Sequence, residues 1–103
     1  ISYEEEAIEL LTQIINTKNV TFSLYEEIDK YLYKNLYKNR CLQDLIYTTF
    51  SCLRKLLKDD FSKLNDILKN FLIYDQNMVK GSRDYMHIQA VFYYLVFYFH
   101  QNK

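Results

Sequence analysis

Residues 42–57 read LQDLIYTTFSCLRKLL, and this stretch decides the fold class. Leu42, Leu45, Ile46, Thr49, Phe50, Leu53, Leu56 and Leu57 recur at three- and four-residue spacing without a gap. That is the period of an amphipathic helix burying one stripe. Phe50 stands mid-stripe, which predicts a core phenylalanine.

Working outward, the same period returns on both sides. Upstream, Leu24, Ile28, Tyr31, Leu32 and Leu36 form the inner stripe of a second segment, with Ser23 and Glu26 as its start signal and a break near Asn39. The first segment opens with Ser2 and Glu5 as a capping box. Glu4, Glu5 and Glu6 fall where the helix dipole favours negative charge. Ile8, Leu11, Ile14 and Ile15 make its apolar face, and Asn16 to Asn19 end it. Downstream, Asp59 and Asp60 can cap a fourth segment whose Phe61, Leu64, Ile67, Leu68, Phe71 and Leu72 are expected to face inward. Residues 75–83, holding the sole glycine, Gly81, read as a loop. Ser82 and Asp84 start a last segment that runs to about Gln101. Its stretch from Ala90 to Phe99 is apolar almost all round, as in a central, enclosed helix. Ten such residues are too few to cross a bilayer.

The expected fold is therefore all-α, a compact five-helix antiparallel bundle or short helical-hairpin array, with the third and fifth helices central. Composition agrees. Across 103 residues there is no proline and one glycine, whereas a many-stranded fold needs both for its turns. The length is that of one domain. Ile1 in place of an initiator methionine implies a piece of a longer protein. Thirteen basic residues balance thirteen acidic ones, so no global field draws nucleic acid or an anionic membrane.

Sites for chemistry are sparse. His87 and His100 are thirteen residues apart on one helix, on nearly opposite faces and roughly 20 Å apart. Cys41 and Cys52 are separated by about 16 Å of helix, too far to share a metal ion or a disulfide. Neither pair converges, so no metal and no cofactor is expected. One glycine, in V-K-G-S-R, builds neither a phosphate cradle nor a nucleophile elbow. Glu5 and Glu9 stand one turn apart with no nucleophile near them. The expectation is a protein without catalytic residues.

Binding residues are easier to find. Lys30 to Arg40 reads KYLYKNLYKNR, placing Tyr33 and Tyr37 outward with Lys34 and Lys38 beside them. Aromatic and cationic groups interleaved in this way serve single-stranded nucleic acid, and serve a protein or peptide partner more commonly. On the last segment Tyr94 and Tyr98 form a second candidate face. The leading reading is a non-catalytic helical module for protein–protein contact through these six residues. The alternative is a helical carrier holding a lipid or other apolar ligand between aromatic helices. Two free thiols favour a reducing, intracellular compartment. Thiol titration of the unfolded chain without reductant should find Cys41 and Cys52 both free; a bridge between them, seen by mass spectrometry, would mean that the third helix is broken.

Overall fold

Helices form where the apolar period placed them. The computed structural model describes residues 3–38, 42–58, 60–77 and 84–101. It contains α1 (Tyr3–Asn16), α2 (Phe22–Tyr37), α3 (Leu42–Leu56), α4 (Phe61–Asn77) and α5 (Asp84–Gln101), with no strand among the described residues. A radius of gyration of 13.1 Å is that of a globular bundle this long.

Two helix boundaries depart from the expected ones. α2 begins two residues early, with Thr21 as its N-cap in extended conformation, so Ser23 lies inside the first turn. α4 continues to Asn77 and absorbs the start of the expected loop. At the other end of α4, Asp60 does cap, its Oδ1 accepting from the Lys63 N–H at 3.3 Å. Two residues past the end of α3, Lys58 is a non-glycine residue at φ 52°; a left-handed residue there stops a helix from continuing. The expected cap at Ser2, the break at Asn39, and Cys41, Asp59, Gly81 and Ser82 lie outside the described residues, as do the side chains of Leu42 and Phe71.

Burial shows how the helices assemble. α5 buries His87, Ile88, Val91, Phe92, Leu95, Val96 and Phe99, which at about 100° per residue cover one half of its circumference. Met86 and Phe97 on the other half are exposed, so the helix is not enclosed as expected, although it touches all four other helices. α1 buries Ala7, Leu10, Leu11 and Ile14 and packs on α2, α3 and α5. The central pair is thus α1 and α5, rather than α3 and α5. α2 and α5 run antiparallel: Tyr25 meets Tyr93, Asp29 meets Gln89, and Tyr33 meets Tyr85. Polar residues inside the core satisfy themselves locally. Thr49 donates to the Leu45 carbonyl at 2.7 Å, and Asn35 to the Tyr31 carbonyl at 2.8 Å. Cys52 is fully buried, and burial raises its thiol pKa.

Two apolar stripes are turned differently from expectation. α3 buries Leu45, Thr49, Cys52 and Leu53, whereas Phe50 is only half-buried on the flank. α4 buries Ile67 alone among the described side chains of its expected stripe. Leu64 is half-buried, and Phe61, Leu68 and Leu72 are exposed. At about 100° per residue these five positions spread over roughly 140° of α4, and a single contact with α5 covers one edge of that arc. Leu53→Ala should therefore cost about 2–5 kcal/mol. Phe50→Ala should cost less, about 1–2 kcal/mol, because a side chain at the edge of the core leaves a smaller enclosed void. Paired urea melts measure both, and equal losses would put Phe50 back in the core.

Candidate functional site

α3 and α4 both rest on α5 and approach each other less closely than they approach it. The gap between them is an open groove of about 920 Å³, lined from α3 by Ile46, Tyr47, Phe50 and Arg54 and from α4 by Phe61, Leu64, Asn65, Leu68 and Leu72. Its walls come from the outer edges of the two apolar stripes. Ile46, Phe50 and Arg54 follow at i, i+4 and i+8, one ridge along α3. Ile46, Phe50 and Leu64 back onto the core, while Tyr47 is 76% exposed, Phe61 69% and Leu72 53%. Among the described residues Arg54 is the charged one in the lining.

Nothing in the sequence reading singled out this groove. Its α4 residues carried the expected spacing but were placed in the core, since an apolar stripe alone does not say which of its edges finds a neighbour. Tyr47, which falls outside the α3 stripe, was the available hint.

The six residues expected to meet a partner are not brought together, and the groove reaches none of them. Tyr33 and Tyr37 do point outward, 66% and 89% exposed. Tyr33 stacks on Tyr85 at 4.8 Å between ring centroids. Lys34 reaches across to α1, its Nζ donating to Glu6 Oε1 at 2.8 Å, and that bond holds the Glu6 carboxyl below its usual range. Lys38 is exposed at the end of α2. Tyr94 and Tyr98 are half-buried on the side of α5 that α4 covers: Asn70 hydrogen-bonds the Tyr94 phenol, and the Asp66 charge acts on both rings.

A polar cluster sits in the α2–α5 seam. Gln89 Nε2 donates to Asp29 Oδ1 at 3.0 Å and lies 3.3 Å from the Tyr85 hydroxyl and 3.2 Å from that of Tyr93. The Tyr93 hydroxyl donates to Asp29 at 3.1 Å. All of these side chains are partly buried, and together they fix helix register. His87 is buried on α5, and His100 stands in its last turn. Among the described residues no three His, Cys, Asp or Glu side chains converge as a metal set would require, and no helix is long and apolar enough to cross a membrane.

Comparison with protein-family models, with curated proteins and with solved structures finds no match to this chain.

Burial is the first cause of raised phenol pKa values at Tyr85, Tyr93, Tyr94 and Tyr98, with nearby aspartate charge adding to it. A phenol held above its unfolded value contributes stability in full below that value, near pH 10, and loses it as pH rises further. The melting temperature should hold up to about pH 9 and fall above about pH 10, with phenolate absorbance from these four tyrosines developing only as helicity is lost. Phenolate formation by all tyrosines with helicity intact would contradict their burial.

Proposed function

We propose that this domain is a non-catalytic interaction module, and that its α3–α4 groove receives the apolar face of a helix from a partner protein. One observation carries the reading: Tyr47, Phe61, Leu68 and Leu72 expose their side chains around a single groove. A contiguous apolar surface of this kind gains free energy when a partner covers it.

The groove's form favours a helix. Phe61, Asn65, Leu68 and Leu72 are spaced by four, three and four residues, the seam spacing that lets side chains of two helices interdigitate. From Phe61 to Leu72 the α4 wall is about 16 Å long, matching three turns of an incoming helix. Helix-in-groove recognition reads such partners through anchors at i, i+3, i+4 and i+7. A carrier of a lipid or similar apolar ligand is the second reading, supported by the same apolar lining. It ranks lower because carrier pockets enclose most of the ligand, whereas this groove is open to solvent.

Selection of displayed helical peptides against the immobilised domain tests the proposal, with the Leu68→Asp variant as counter-target. Leu68 is 44% exposed and lies outside the buried core, so the substitution should leave helicity intact. Recovered peptides should show the anchor spacing and lose at least about tenfold in affinity for the variant, the equivalent of one interface hot spot. Peptides without that spacing, or indifferent to Leu68→Asp, would refute the assignment.

A further inference from the structure

The seam along α4 has the same spacing in both directions. Phe61, Asn65, Leu68 and Leu72 are separated by four, three and four residues. An antiparallel copy of the helix therefore sets Phe61 opposite Leu72 and Asn65 opposite Leu68, twice over. We infer that the partner of the α3–α4 groove is a second copy of this chain, whose α4 is the helix that enters it. This rests on the groove being a helix site and names its occupant.

Such a contact is isologous: one twofold axis puts the same patch on both sides. α4 is at once a wall of its own groove and the helix that the other copy's groove receives. Together α3, α4 and their two mates form a four-helix layer. No helix from elsewhere is needed. The ridge of α4 has the length and spacing of the wall it packs against, because the two are the same helix. One contact also takes Tyr47, Phe61, Leu68 and Leu72 of both copies out of water together.

Area and charge agree with this occupant. At about 200 Å² for a whole aromatic side chain and somewhat less for leucine, these four residues leave on the order of 450 Å² exposed on each copy. Two copies thus cover on the order of 900 Å² of apolar surface, or about 1,500 Å² in all where roughly 60% of an interface is apolar. Specific dimers bury roughly 1,200–2,000 Å². Thirteen basic residues balance thirteen acidic ones, so one copy does not repel another as a whole. Arg54, at the end of the groove where α3 leads into α4, does not meet its own copy, because antiparallel pairing sets the two at opposite ends of the seam. Asn65, exposed in an otherwise apolar seam, is the kind of residue that fixes register while weakening association.

Sedimentation velocity over about 1–500 μM, a range suited to an interface of this size, should show one chain giving way to two as concentration rises. Leu68→Asp and Asn65→Lys should each weaken association at least about tenfold. Both side chains are exposed, so circular dichroism should be unchanged. Asn65→Leu should do the reverse and tighten the dimer about tenfold. An equimolar mixture of Asn65→Lys and Leu68→Asp chains reads the register. In the antiparallel seam the new lysine faces the new aspartate and the other pair is native, so mixing should recover at least about threefold of the lost association. A parallel seam leaves both substitutions mismatched and recovers nothing. If Leu68→Asp loses helicity, Asn65→Lys and Asn65→Leu must still move association in opposite directions. A chain that stays monomeric yet binds the selected helical peptides through Leu68 would overturn the second copy and leave the helix groove standing. A dimer indifferent to these substitutions would also overturn it, and one weakened by both but not restored by mixing would overturn the antiparallel pairing. A monomer that binds no helical peptide, or takes up myristate through Leu68 instead, would overturn both readings.

Discussion

The packing of α5 governs this structure. Its buried residues, from His87 to Phe99, cover one half of its circumference, a face wider than a single neighbouring helix can take out of water. Four other helices must each give it a face, and all four do. The rotation of a helix is therefore set by the neighbours it must cover rather than by its own widest apolar arc. α2 satisfies this with an antiparallel seam in which Tyr25, Asp29 and Tyr33 meet Tyr93, Gln89 and Tyr85 at intervals of one turn. α1 adds the second shared surface, joining α2 and α3 on the opposite side.

That arrangement accounts for the groove. Two helices lying side by side on a third bury their facing edges only if they also reach each other. α3 is drawn toward α1, where the Glu4 carbonyl lies 3.9 Å from Cys52 Sγ and the Glu4 carboxylate pairs with Lys55. α4 has α5 as its main neighbour. The two helices diverge accordingly, and the outer edges of their stripes are left facing a gap. The same competition removed Phe50 from the core: the pull toward α1 seats Cys52 and Leu53, and Phe50 rolls to the flank.

Period and composition were enough to locate five helices and the all-α class, and the apolar run of residues 90–99 marked α5 as the helix that the other four touch, though not as an enclosed one, since Phe97 is 60% exposed. Those signals are local, because a 3.6-residue period and the absence of proline act within one segment. The choice between α1 and α3 as the second central helix was not legible, since both carry clean stripes and differ only in how many neighbours they serve. The outward tyrosines of α2 were legible for the same reason as the helices: Leu32 and Ile28 fix the inner face, so Tyr33 and Tyr37 must oppose it. The groove was not. It depends on which edge of the stripe in α4 goes unpaired, a property of the assembled bundle, and an apolar residue reads identically whether it is covered by its own chain or by another.

An open apolar groove persists only if closing it costs more than leaving it wet. To fill the gap, α4 would have to roll Phe61 and Leu68 toward α3. Ile67 is fully buried against the core, and rolling would lift it out, forfeiting about 1.5–3 kcal/mol of apolar burial. At the turn, the Asp60 cap on the Lys63 N–H ties the first residues of α4 to their present orientation. The wall of the groove is thus held in place from behind, and its exposed side chains are presented before any partner arrives. Preorganisation of that kind removes much of the ordering cost that a flexible surface incurs on binding. An incoming helix would meet a groove already formed, and the free energy of covering Tyr47, Phe61, Leu68 and Leu72 would go to affinity rather than to rearrangement.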